Sequence, residues 1–259
     1  MGLFDAAKAA VLGNRAYRTH VDANKLAGEG KPAEAGAKYQ EALRLYAEAD
    51  RLGTLAPNIS QGYVLLLLRE GHFDEAKALM ERMAKNKAMS KDDWFQLRVQ
   101  YAICHWCAGE LDEAMETMNR AAQYKMNGNV YSTLGMFWVD KARRTGEFEP
   151  ALKFNLEALD YDDEDAATLD NLGQLYEAMA EHDPDRAGEC REKALAYYEK
   201  AHEVKPRQIT TLYYLARLYH QNGDDARARK LLSIRDTLYF SHICPVQKPQ
   251  IDALAKEIG

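Results

Sequence analysis

Four cysteines in 259 residues are too few and too scattered for a disulfide framework. Reduced thiols in a cytoplasmic protein are the simpler reading of Cys104, Cys107, Cys190 and Cys244. A basic excess is also missing. The chain has 34 Lys and Arg against 40 Asp and Glu, a net charge of −6, and lacks the balance of a nucleic-acid binder, which neutralises phosphates with a cationic stripe. No apolar run approaches the length of a transmembrane helix; the best, Tyr63 to Leu68, stops at Arg69 and Glu70. The N-terminus lacks the basic region and long apolar core of a secretory signal. Ala6 stands where myristoylation of Gly2 wants Ser or Thr. Leu3, Phe4, Ala7, Ala10 and Val11 do share one helical side, which predicts a capping helix over residues 1–14 packed on the first helical repeat. Peripheral membrane contact through residues 2–12 is the competing reading, and no polybasic face supports it.

Catalytic signatures are missing as well. There is no Gly-rich phosphate loop, no His-Glu-x-x-His and no Gly-x-Ser-x-Gly. Cys104-His105-Trp106-Cys107 is the one tempting site. A redox Cys-x-x-Cys draws reactivity from a helix N-terminus, whereas this one precedes Ala108-Gly109 at the C-terminal end of a helical pattern, where the dipole disfavours a thiolate. No second Cys pair follows at zinc-ligand spacing. Asp183 to Ala194 resembles a calcium loop in its Asp at positions 1 and 3 and Gly at 6, but position 12, which should be a bidentate Glu, is Ala194. The acidic run Asp160 to Asp165 reads as a solvated turn that caps the next helix. No enzyme, cofactor or metal site is expected.

What is present is repetition. Short acidic turns recur, each followed by a small residue, at Ala35, Ala76, Ala114, Ala151, Ala194 and Ala228, in steps of 41, 38, 37, 43 and 34 residues. Four residues after each Ala stands Tyr39, Met80, Met118, Asn155, Tyr198 or Leu232. Three further on stands Ala42, Met83, Ala121, Ala158, Ala201 or Arg235. The i, i+4, i+7 spacing describes one buried stripe of a helix. A second helix is read upstream of each turn, most clearly in Leu134-Gly-Met-Phe-Trp138, Leu172-Gly-Gln-Leu-Tyr176 and Leu215-Ala-Arg-Leu-Tyr219. A small residue beside a large one lets two helices approach closely. Gly30, Gly71, Gly109, Gly146 and Gly223 end these first helices, and Pro32 and Pro150 sit near the start of the second. No segment reads as a strand. Ile251, Leu254 and Ile258 are spaced as the stripe of a closing helix over 245–259.

These motifs resemble the tetratricopeptide repeat (TPR) family, in which Leu-Gly or Leu-Ala precedes a Tyr, then a Gly turn, then Ala, an aromatic and Ala. The best matches are Leu172–Tyr176 with Ala194–Pro206, and Tyr214–Ala228. The resemblance covers about residues 16–242 and implies an all-α, right-handed solenoid of stacked antiparallel helix pairs. Its six repeats fall at about 16–56, 57–94, 95–127, 128–164, 166–207 and 209–242, in one domain spanning 1–259. The pattern departs from the family at Asp22-Ala23, where Leu-Gly is expected. It departs again at a first helix about one turn longer in the fourth repeat, and at about nine inserted residues around Asp183–Glu192.

In the family, the first helices line a concave groove that receives a peptide or partner helix. Carried over slot by slot, the resemblance places Tyr17, His20, Asn24, Asn58, Gln61, Leu65 and Arg69 on that wall. Gln96, Val99, Trp106, Asn129, Ser132, Met136 and Asp140 follow, then Asp170, Gln174, Glu177, Tyr213, Arg217 and His220. Amides beside aromatics suit recognition of a peptide backbone. A carboxylate clamp of the kind known in one subgroup is not implied, because His20 stands where Lys is expected and Gln96 and Val99 where cations are. The expectation is a cytoplasmic scaffold for a protein or peptide partner, and it requires that the inner wall be left open. A ligand- or peptide-responsive regulator is the alternative.

Overall fold

The computed structural model describes residues 3–53, 55–87 and 89–259; Gly2 lies outside them. Among the described residues every regular element is helical. They form thirteen α-helices: α1 (Leu3–Gly28), α2 (Pro32–Leu52), α3 (Pro57–Arg69), α4 (Phe73–Met83), α5 (Lys91–Cys107), α6 (Leu111–Tyr124), α7 (Gly128–Thr145), α8 (Phe148–Tyr161), α9 (Ala166–His182), α10 (Ala187–Val204), α11 (Ile209–Gln221), α12 (Asp225–Leu232) and α13 (Lys248–Ile258). No helix among the described residues is long and apolar enough to cross a membrane.

The helices sort into two compact units. Unit 1 holds residues 1–107 and 236–243; unit 2 holds 108–235 and 244–259. In unit 1, α1 pairs with α2 and α3 with α4, while the first helices α1, α3 and α5 lie against one another in sequence. In unit 2 the pairs are α7 with α8, α9 with α10 and α11 with α12, and α9 touches both α7 and α11. Each unit is therefore an α-solenoid stack, in which a hairpin too small to be stable alone buries its apolar face on the next.

The periodic stripe is what holds the stacks together. Ala35, Ala76, Ala114, Ala151, Ala194 and Ala228 are all completely buried, as are Tyr39, Met80, Met118, Asn155 and Tyr198 four residues on. A bulky apolar side chain fully withdrawn from water contributes about 1.5–3 kcal/mol, so the stripe dominates each interface. The small residue of the first helix matters for a different reason. A Cβ at Gly173 would stand 2.5 Å from the Tyr198 ring, and one at Gly135 would stand 2.4 Å from Asn155 Oδ1. The α9 backbone lies flat on α10 at Gly173 because no side chain intervenes.

Turn chemistry follows the glycines. Gly30, Gly71, Gly109, Gly146 and Gly223 have φ between 76° and 83°, the left-handed region in which Gly ends a helix without steric penalty. The inserted stretch in the fifth hairpin has no such Gly; a 3₁₀ turn over Pro184–Arg186 joins α9 to α10 instead. Asn127, Asp165 and Asp224 accept backbone N–H bonds at the starts of α7, α9 and α12. Helix α13 packs against α11 and α12 and buries Ile251, Leu254 and Ile258.

One expectation is corrected. Residues 3–14 are no separate helix, since α1 runs unbroken from Leu3 to Gly28. Gly13 does not break it, and a Cβ there would meet Ile59 at 3.1 Å and Leu55 at 3.2 Å, so this part of α1 packs closely on residues 55–59.

Candidate interaction site

The slots assigned to the inner wall of unit 1 split between exposed and covered side chains. Tyr17, Asn24, Asn58 and Gln96 are exposed, Gln61, Leu65, Arg69 and Trp106 are half-buried, and Val99 is buried. His20 is buried, edge-on to Tyr39 (5.9 Å) and Tyr46 (6.3 Å). Burial, with help from the Arg69 charge, lowers its pKa from 6.5 to about 4 and so keeps the ring neutral. Asn24 Oδ1 accepts from Tyr39 Oη at 2.8 Å and from Arg69 Nη1 at 2.7 Å, while the Arg69 guanidinium stands 5.3 Å over the Tyr39 ring. One helix further on, Gln61 Nε2 donates to Asp93 Oδ1 at 3.0 Å. Asn24, Arg69 and Tyr39 thus form one connected polar cluster.

Unit 2 is more enclosed. Asn129 is exposed, and Ser132, Met136 and Asp140 are half-buried. Asp170 is buried and accepts from Thr211 Oγ1 at 2.7 Å and Gln174 Nε2 at 2.8 Å. Burial raises its pKa to about 6, with the hydroxyl and amide donors opposing that rise. Glu177, also buried, accepts from Tyr198 Oη at 2.9 Å, and its Oε1 lies 2.8 Å from Arg217 Nη2. The second contact is a close ion pair rather than an aligned hydrogen bond, because Oε1 has no partner of acceptable angle. Arg217 in turn covers Tyr214 (5.1 Å) and Tyr213 (5.7 Å).

Three of the assigned residues open onto one cavity. Tyr213, Arg217 and His220 of α11, with Gln250, Leu254 and Glu257 of α13, line a space of about 340 Å³. His220 Nδ1 lies 2.6 Å from Asp225 Oδ1 and Nε2 lies 3.6 Å from Glu257 Oε1, and the Asp225 hydrogen bond raises its pKa. The cavity offers aromatic area, an arginine and the Glu257 carboxylate within reach of an entering segment. It lies beside the closing helix.

In neither unit is the wall open along its whole length. Asp170 ties α9 to α11 and Glu177 ties α9 to α10 and α11, Gln174 pairs with Asp170 within α9, and His20 is covered. Burial, with a smaller contribution from the Asp170 charge, pushes the thiol of Cys244, just before α13, up to about 11. In unit 1, residues 236–243 return to lie against the end of α3. The assignment by slots missed Tyr39, Tyr198, Thr211 and this returning segment. The one available signal was the apolar cluster Leu238-Tyr239-Phe240 beyond the last repeat, in a stretch without helical spacing. Burial likewise pushes the Cys107 thiol up to about 11, and no cluster of three metal-ligating side chains occurs among the described residues.

No protein-family model matches the sequence, and no curated protein matches it. Solved structures do. A thermophilic TPR protein of Thermus thermophilus superposes with a TM-score of 0.51 at 18% identity, over 63% of this chain and 80% of that one. PilF of Pseudomonas aeruginosa gives 0.51 at 19% identity, over 69% of this chain and 74% of that one. The Cut9–Hcn1 hetero-tetramer of the APC/C gives 0.58 at 16% identity; 95% of this chain is covered, equivalent to 46% of that chain. The chain has the tetratricopeptide-repeat fold.

Proposed function

We propose that this protein is a protein–protein interaction scaffold that receives a peptide or partner segment on the shared face of its first helices. The observation that carries this reading is the cavity of unit 2, where Tyr213, Arg217 and His220 come together with room for a side chain or two of a partner. Tyrosine and arginine in a partly enclosed pocket are the residue types that dominate binding energy at protein interfaces. The fold agrees with it: among structures of this fold, Cut9 occurs in a hetero-tetramer with Hcn1. Asn129, Ser132 and Asp140 add exposed or half-exposed polar groups that can pair with a peptide backbone.

The test is affinity capture followed by direct titration of the captured partner. Tyr213→Ala and Leu254→Ala, on two of the helices that line the cavity, should each weaken binding at least tenfold while helicity is unchanged. Partner affinity indifferent to both substitutions would remove the site from this cavity.

A further inference from the structure

Residues 236–243 belong to unit 1, although Arg235 before them and Cys244 after them belong to unit 2. The segment has no regular structure from Leu238 to Ser241, yet it is seated by specific contacts. The Tyr239 ring packs on Tyr39 with centroids 4.8 Å apart, and its hydroxyl donates to Glu70 Oε1 at 2.6 Å. The backbone N–H of His242 donates to Arg69 O at 2.8 Å and Ser241 Oγ donates to the same oxygen at 3.3 Å. Arg69 ends α3, so this carbonyl is one that the helix itself leaves without a partner. Gly71 makes room: a Cβ there would meet the His242 ring at 2.9 Å. The Tyr39 hydroxyl is at the same time held by the Asn24–Arg69 cluster.

We infer that residues 238–243 are a displaceable self-ligand, and that the seat made by Tyr39, Glu70 and the Arg69 carbonyl takes an extended segment of a protein partner. Such a segment presents a tyrosine and, three residues later, a free backbone N–H. The inference rests on the scaffold reading above and adds to it a second site, in the other unit, with a built-in competitor. The contacts suit exchange. They include a tilted Tyr239–Tyr39 ring contact, three hydrogen bonds, the burial of Leu238 and the packing of Ile243 on the core, all from an irregular segment that can open without unfolding the helices beneath it. Every group in the seat that grips it would grip an incoming chain of the same pattern equally well. Because the self-ligand is tethered, it competes at an effective concentration on the order of millimolar. Partner binding is therefore weak until the strap is released.

The experiment titrates a fluorescent peptide of residues 235–246, with Ser in place of Cys244, into the full-length protein. Wild-type protein should bind it weakly. Tyr239→Ala, and separately His242→Pro, which removes the N–H donor, should bind it at least tenfold more tightly while helical circular dichroism is unchanged. A peptide carrying Tyr239→Ala should lose that gain. Hydrogen exchange of the wild type supplies a check independent of variants: the His242 amide should exchange at least a hundredfold faster than amides in the middle of α2. Equal exchange at the two places, or peptide affinity unmoved by releasing the strap, overturns the inference. Partner capture lost with Tyr213→Ala while the peptide result is negative sinks this inference alone; the reverse pattern sinks the α11 site and leaves the seat standing.

Discussion

Replacing Gly173 with alanine tests how the hairpins are joined. A methyl group there would lie 2.5, 2.6 and 2.9 Å from three atoms of the Tyr198 ring. The ring is completely buried and stacked on Tyr214 with centroids 5.9 Å apart, and its hydroxyl is committed to Glu177 at 2.9 Å. Restoring an ordinary contact of 3.4 Å requires a relative shift of about 0.9 Å, which stretches the Glu177 bond beyond useful length. Overpacking of this kind costs about 1–3 kcal/mol and a lost hydrogen bond to a charged acceptor about 1.5–3. Alanine returns about 1 kcal/mol of helix propensity, so a net loss of about 1.5–5 kcal/mol is expected. In a unit of this size that lowers the thermal midpoint by roughly 5–20 °C. Gly188→Ala is the control, because no atom lies within 4 Å of its Cβ position and its backbone is helical; it should be neutral or stabilising by up to about 1 kcal/mol. Urea unfolding followed by circular dichroism, with hydrogen exchange reporting α9 and α10, measures both. A Gly173→Ala protein within 0.5 kcal/mol of wild type, on the scale these effects set, would refute the argument that backbone approach at this glycine fixes the α9–α10 interface.

The two buried titratable residues predict opposite pH responses in the two units. Asp170 binds its proton more tightly folded than unfolded, so it contributes stability below its ordinary value of 3.8 that is lost as pH rises through about 6. His20 is the reverse: its contribution is present above 6.5 and is lost as pH falls toward about 4. Moving from pH 6.5 to pH 4 should weaken unit 1 and strengthen unit 2, each by an amount on the order of 2–3 kcal/mol. Fragment-resolved hydrogen exchange corrected for intrinsic rates reads both, and Asp170→Asn and His20→Gln should each flatten the profile of their own unit. Cys107, with its thiol near 11, should alkylate at pH 8 about a hundredfold more slowly than a free cysteine; peptide mapping after iodoacetamide pulses checks this, and rapid labelling would reopen a redox role for the Cys-x-x-Cys.

The architecture was readable because its main constraint is local. A stripe at i, i+4, i+7 marks the buried side of a helix whatever lies opposite, so Ala151, Ala194 and Ala228 could be placed before any partner helix was known, as could the left-handed turns at Gly146 and Gly223. The site was only half readable for the complementary reason. A slot on a first helix fixes the direction of a side chain, but whether that side chain meets solvent depends on residues far away. Asp170 is sealed partly by Thr211, 41 positions on. Gln174 belongs to the same buried network. The seat at Arg69 is filled by residues up to 173 positions distant, from a stretch whose apolar residues follow no period and so announced no structure. The continuity of α1 was missed because Gly13 and the following Asn14 resemble a stop, while close packing against Ile59 keeps the backbone helical.

The return of residues 236–243 has a consequence for biogenesis. The first 107 residues leave the ribosome with their last tenant still 129 codons away, measured from Cys107 to Asp236. At about 5–20 residues per second, the pocket around Tyr39 stays vacant for roughly 6–26 seconds of every round of synthesis. If the seat takes a tyrosine-bearing segment as inferred above, that interval is when such a segment meets no tethered competitor.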